Sequence, residues 1–187
     1  MEIKIVFDKS AVDENLNIGW GLSVLVSGGT LFDTGEKGIW LLDNLKQMDI
    51  NIKKDVKRVI ISHDHWDHTG GLWDLLDAVK GRKMPVYICP GFSHETKDKI
   101  KKMGGVPVES GKFTEISGNI FTTGEIKGEY KGKLMSEQVL VLKTRKGISV
   151  VTGCAHPEIL KILRQVKKHF GHERFFLVMG GFHLVDA

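Results

Sequence analysis

Apolar and charged residues alternate over residues 3–7 (IKIVF), the period-two pattern of a strand with one wet face. Residues 20–26 and 30–32 flank Ser27-Gly28-Gly29, which predicts a hairpin whose glycines allow positive φ. Asp33 ends its second strand and is followed by Thr34-Gly35. Ile39, Trp40, Leu42 and Leu45 fall near helical spacing, so a helix is expected over 37–47. Val59-Ile60-Ile61 is short, β-branched and without period, and places a buried strand over 56–62. After Gly70-Gly71 an amphipathic helix covers 72–79. Further strands are expected over 86–89, 106–108, 119–122, 139–142 and 148–152, with a last buried strand over 175–179. A Lys-rich helix over 93–103 is capped by Ser93 and stopped by Gly104-Gly105. Another runs from Pro157, which suits a first helical turn, to Phe170. Residues 124–135 (GEIKGEYKGKLM), with spaced glycines and alternating charge, read as a mobile surface loop.

Strands come first, and helices then alternate with strands in each half. That order predicts an α/β or α+β sandwich with helices outside. With no linker-like or Pro-rich segment, 187 residues are expected to form one domain, 1–187. Composition changes this picture little: 41% hydrophobic and 27% charged residues are ordinary for a soluble globular protein. The N-terminus lacks the apolar centre of a signal peptide. No stretch approaches the roughly 20 apolar residues of a membrane helix, so no membrane partner is expected. Cys89 and Cys154 are too few and too far apart for a disulfide framework, and a cytoplasmic location is the expectation. A net charge of +4, mostly lysine, points weakly to an anionic substrate.

The candidate chemistry lies in three loops of one design: a hydrophobic strand, a glycine or polar break, then metal-type ligands. They are residues 62–68, 153–156 and 180–183. Sites in open α/β sheets gather outside the carboxyl ends of strands, so the three can converge. In His63-Asp64-His65-Trp66-Asp67-His68, alternate positions of an extended strand end aim His63, His65 and Asp67 to one side. His68 follows as the backbone turns into the helix and reaches a second point. Packing three imidazoles and two carboxylates together without a metal would create a costly polar site, so metal binding is expected. His169 and His172 read as helix-end surface residues, His94 as a helix-start residue or an edge of the pocket, Trp40 and Trp73 as core, and the lysines at 97, 99, 101 and 102 as a solvated face or, alternatively, a phosphate-attracting rim.

His63-X-His65-X-Asp67-His68 resembles the signature of the metallo-β-lactamase superfamily, and Leu31-Phe32-Asp33-Thr34-Gly35 resembles its upstream aspartate motif. Val151-Thr152-Gly153-Cys154-Ala155-His156-Pro157 and Gly180-Gly181-Phe182-His183-Leu184 are similar to one branch of it. That branch comprises metal-dependent hydrolases related to 7,8-dihydropterin-6-methyl-4-(β-D-ribofuranosyl)aminobenzene-5′-phosphate synthase. Gly21-Leu22-Ser23 and Glu137-Gln138 are similar to it as well. The resemblance implies a four-layer αββα sandwich with a metal site at one edge between two sheets. In that branch a further helix, a strand and a Cys-His-Cys segment follow the last loop, whereas this sequence ends at Ala187. The expected fold is therefore a short version, or one lacking those last C-terminal elements.

The resemblance also implies a ligand set for two divalent ions. One ion takes His63, His65 and a later ligand; the other takes Asp67, His68 and another, with His156 and His183 expected in the later positions. Cys154 is either a thiolate ligand or a small residue turning its loop, Glu137 approaches the site, and Asp33 orients a histidine rather than ligating. Zinc suits the imidazoles best, with manganese or iron as alternatives. The implied activity is hydrolysis of a small anionic ester or phosphoester by a metal-bound hydroxide, with Asp67 as ligand and orienting group. Two alternatives stand beside it: a C–C bond-forming dihydropterin-type synthase on the same site, and a non-catalytic metal- or ligand-binding protein. No nucleic-acid partner is expected, since the chain has no room for a clamp domain. A homo-oligomer is left open.

Overall fold

A computed structural model describes residues Met1–His183; Leu184, the last residue of the Gly-Gly-Phe-His-Leu segment, lies outside the described residues. The fold is mixed α/β with several sheets, and it divides into two compact units. Unit 1 comprises Met1–Ile88 and Phe92–Val108; unit 2 comprises Cys89–Gly91 and the chain from Glu109 onward.

Unit 1 is built on one sheet. The alternating segment forms β1 (Ile3–Phe7), and the Ser27-Gly28-Gly29 turn joins β2 (Ser23–Val26) to β3 (Thr30–Phe32) as an antiparallel hairpin. Helix α1 (Gly38–Gln47) and the short α2 (Ile52–Asp55) lead into β4 (Arg58–Ile60), which lies parallel to β3. A single helical turn, α3 (Trp66–Thr69), and α4 (Leu72–Ala78) lead to β5 (Met84–Ile88), parallel to β4. Helix α5 (His94–Lys102) precedes β6 (Gly105–Glu109), and the sheet order is β1-β2-β3-β4-β5-β6. As expected, the Ser93 side chain caps α5 by accepting from the Thr96 amide. The core holds Leu31, Phe32, Val59, Ile60, Leu41, Leu45, Leu72 and Leu76, all at most 1% exposed. Parallel strands fed by crossover helices are buried on both faces, so β3 and β4 read as continuous apolar runs.

Unit 2 carries β7 (Thr114–Ser117), β8 (Ile120–Thr122), β11 (Leu140–Thr144), β12 (Gly147–Thr152) and β13 (Phe175–Gly180) in the order β13-β12-β11-β8-β7, with β9 (Ile126–Tyr130) and β10 (Lys133–Glu137) intervening in sequence. Helix α6 (Ile159–Phe170) makes the crossover between the parallel neighbours β12 and β13. It packs Ile162 and Val166 onto Val139, Val141, Ile148 and Val150.

Several local expectations change. Residues 126–137 are an antiparallel ribbon, β9 with β10, rather than a mobile loop. The alternation of charge that suggested solvent is what a two-stranded ribbon with wet faces also produces. Pro157 precedes α6 instead of opening it; the helix starts at Ile159, after Glu158 at φ 72°. Strand β13 is half-exposed rather than buried. Trp40 and Trp73 are half-buried, each under a lysine, Lys37 at 3.7 Å and Lys99 at 3.9 Å from the ring centre. Among the described residues no helix is long and apolar enough to cross a membrane.

Candidate metal centre

Strands β3 and β4 run parallel and side by side, so their carboxyl ends meet. That places Asp33, just past β3, against the segment that follows β4. Asp33 is fully buried and sits at φ 55°, a conformation aspartate tolerates better than most residues. Its Oδ1 accepts the Ser62 amide at 2.6 Å, and its Oδ2 accepts the Ser62 hydroxyl at 2.7 Å and meets His68 Nδ1 at 2.6 Å. Ser62 Oγ also lies 2.8 Å from His63 Nδ1. These contacts favour one placement of the protons. A carboxylate only accepts, so His68 must carry its proton on Nδ1. The Ser62 hydrogen is spent on Asp33, so Ser62 must accept from His63, which is therefore also protonated on Nδ1. With Nδ1 protonated, a neutral ring has its lone pair on Nε2, the form in which a histidine ligates a cation; that atom faces His65 in His63 and Asp67 in His68.

His63 Nε2 lies 3.0 Å from Nδ1 of half-buried His65, and His68 Nε2 lies 3.6 Å from Asp67 Oδ2. The His63 ring centre is 4.7 Å from that of His65 and 4.3 Å from that of His68. Two nitrogens on a tetrahedral zinc are about 3.3 Å apart when each bond is about 2.0–2.1 Å. The donor set of this unit therefore fits a cation, with His63 and His65 on one side and His68 with Asp67 on the other. The expected alternation extends only through His65. From Trp66 the backbone is already helical, and this turn carries Asp67 and His68.

The second residue of the motif does other work. Asp64 accepts from the Ser93 amide at 2.9 Å and from the Thr96 hydroxyl at 2.8 Å, tying the motif to the start of α5. Gly21 makes room for the motif: a Cβ on it would come 1.7 Å from the Asp67 carbonyl oxygen, and its φ is +88°. Gly21→Ala is expected to cost about 3 kcal/mol, combining backbone strain with a clash against main chain; urea unfolding of the metal-free protein measures it.

In unit 2 the same arrangement recurs. Strands β12 and β13 are parallel neighbours, so the loops leaving their carboxyl ends lie together. The Gly181 amide donates to the Gly153 carbonyl at 3.0 Å, and the Thr152 hydroxyl donates to the Gly181 carbonyl at 2.8 Å. His156, 8% exposed, and His183 are thereby brought to 4.8 Å between ring centres. Tyr130 of the ribbon stands 5.0 Å from the His156 ring and 5.4 Å from that of His183. Cys154 is half-exposed on the same loop. Glu137 is fully buried, and its two oxygens accept the backbone amides of Cys154, Ala155 and His156.

The described residues thus offer histidine and cysteine groups suited to a metal ion: His63, His65 and His68 in unit 1, Cys154 and His156 in unit 2. His94 and His172 are exposed, while His169 stacks on Phe113 at 3.8 Å. Neither Ser62 nor Tyr130 stands out in the sequence as a site residue. Ser62 could have been found as the residue between a buried strand and the first motif histidine; nothing local marks Tyr130. A cavity of about 390 Å³, lined by Lys4, Gly29, Asp55 and Lys57 among others, sits where β3 and β4 begin, at the opposite strand ends from the motif.

The family model described as the Metallo-beta-lactamase superfamily matches residues 21–166. The chain is 31% identical, over 84% of its own length, to the 7,8-dihydropterin-6-methyl-4-(beta-D-ribofuranosyl)-aminobenzene-5′-phosphate synthase of Methanocaldococcus jannaschii, and spans 66% of that relative. The crystal structure of Tm1679, a metal-dependent hydrolase of the β-lactamase superfamily, is similar with a TM-score of 0.77 and 28% identity, over 99% of this chain and 77% of that one. An N-acyl homoserine lactone hydrolase, solved with product at its catalytic metal centre, shares the fold with a TM-score of 0.59 at 17% identity, over 96% of this chain and 91% of that one.

Proposed function

The chain belongs to the metallo-β-lactamase superfamily, and on that footing we propose that it is a metal-dependent hydrolase of a small anionic ester or phosphoester. His63, His65, Asp67, His68, His156 and His183 would hold two divalent ions, with zinc best suited to so many imidazoles. When bound, such ions bring the pKa of a coordinated water toward neutrality and polarise the group under attack. The chain's own residues supply orientation and proton placement. Asp33 and Ser62 keep the protons of His68 and His63 on Nδ1. Asp67, the residue we assign to catalysis, keeps a carboxylate beside His68 that is 18% exposed and able to orient the attacking water through Oδ2.

The observation that carries this reading is a pair of histidines fixed at Nδ1, His68 directly by buried Asp33 and His63 through Ser62, with Nε2 of each turned toward a further motif residue, His65 or Asp67. Three imidazoles and two carboxylates packed together without a metal would make a costly polar site. The likeness to Tm1679 supports hydrolysis. The 31% identity to the archaeal synthase favours a second reading, in which the same residues would hold metal ions that supply Lewis acidity to a synthase reaction of that kind.

Metal analysis and a panel of chromogenic esters and phosphodiesters, run with zinc or manganese, separate these readings. We expect bound metal, turnover of at least one substrate class, and loss of turnover on chelation. His183→Ala is expected to bind at least one ion fewer. Silence across the panel with metal bound would move the assignment to the synthase, or to a metal-binding protein without catalysis.

A further inference from the structure

The geometry points to Glu137 as the positioning residue of the His156 loop, a built-in carboxylate that fills an anion nest made by three successive backbone amides. The inference rests on the reading of His156 as a ligand. After β12 ends at Thr152 the chain loses its sheet partners, and the amides of residues 154–156 need acceptors. Glu137 supplies them: Oε1 accepts from Cys154 at 3.1 Å and from Ala155 at 2.9 Å, and Oε2 accepts from His156 at 2.8 Å. Ala155 sits at φ 59°, so these amides point inward in a left-handed turn that a β-carbon disfavours. Successive amides aimed at one point form a concave anion site, here with a side chain of the same protein as its anion. Both oxygens are engaged by the backbone, so the carboxylate acts on the loop rather than as a ligand in its own right.

The ribbon that carries Glu137 is fastened to the same loop at other points. Ile126 at its start is part of the unit 2 core, together with Ala155. Gly128 faces the loop main chain so closely that a Cβ on it would lie 2.6 Å from the His156 carbonyl carbon. The Lys161 ammonium on α6 donates to the Lys127 carbonyl at 2.6 Å. With Tyr130 beside the two imidazoles, the ribbon forms a frame, and Glu137 bonds it to the three amides that set the direction of His156.

Zinc affinity of the whole 187-residue chain tests this, with His156→Ala alongside. Glu137→Gln keeps the shape but turns an NH2 toward an amide N–H, and is expected to bind zinc 10–100-fold more weakly, as outer partners of ligating groups do. Its far-UV circular dichroism should match that of the parent. Glu137→Ala opens the nest, and added formate, a carboxylate small enough to enter, should restore part of the zinc affinity. Formate should leave the parent and His156→Ala unchanged. Parent-like affinity in both Glu137 variants, with His156→Ala impaired, would overturn the inference and leave the ligand assignment intact. An Ala variant that loses zinc but ignores formate also overturns it. Unaltered zinc binding by His156→Ala removes the ligand assignment and the inference together. If Glu137→Ala does not fold, the Gln variant decides.

Discussion

Asp33→Ala is expected to be the most damaging single substitution in the chain, lowering stability by several kcal/mol and abolishing metal binding. The carboxylate accepts from the Ser62 amide, the Ser62 hydroxyl and His68 Nδ1, all buried. A buried donor left without its acceptor costs about 1–3 kcal/mol, and three such losses approach the roughly 5–15 kcal/mol that holds a whole domain folded. Asp33→Asn separates folding from site chemistry. It keeps one accepting oxygen and nearly the same volume, but presents an NH2 that can only donate. The most direct relief is for His68 to move its proton to Nε2 and accept through Nδ1, which removes the lone pair from the site. The Asn variant should therefore stay folded while binding metal about 10–100-fold more weakly. Denaturant unfolding of the metal-free variants and zinc titration of Asp33→Asn provide the two measurements. Parent-like zinc affinity in the Asn variant would refute the proton placement.

His65→Ala and Asp64→Ala, neighbours in the same motif, are expected to fail in opposite ways. His65 is half-buried and lends Nδ1 to the cluster, so its removal should strip metal and activity while the fold survives. Asp64 faces away from the cluster and holds Ser93 and Thr96 at the start of α5. Its loss should cost about 1 kcal/mol of stability, in the range of a lost helix cap, and leave metal bound. Metal content and thermal melts on the two variants check both halves. A metal-free Asp64→Ala protein, or a fully loaded His65→Ala protein, would contradict the assignment of roles within the motif.

Much of the fold could be read along the chain. The apolar run at 59–61, the helical spacing at 39–45 and the Ser93 cap all concern residues within a turn or two of one another, where periodicity and capping chemistry act directly. The ribbon over 126–137 was not legible because its partner strand, not its own hydrophobicity, makes it β. The cluster of histidines at 63–68 was legible as a candidate metal site because so many imidazoles in one short segment have few other uses. Its division of labour was less so. The helical turn beginning at Trp66 breaks the alternation that would have placed Asp67 with His63 and His65.

By itself, the sequence determined the mixed α/β class, the segment that offers ligands, and the family, all of which rest on spacing within short stretches. The tertiary structure alone decided which residues stand behind those candidate ligands. Asp33 meets Ser62 and His68 across about thirty positions because β3 and β4 are parallel neighbours. His156 meets His183 because β12 and β13 are neighbours as well, and Glu137 reaches the amides of 154–156 from the end of β10. Strand neighbourhood is a choice the whole core makes by burying its apolar faces, and no local pattern encodes it.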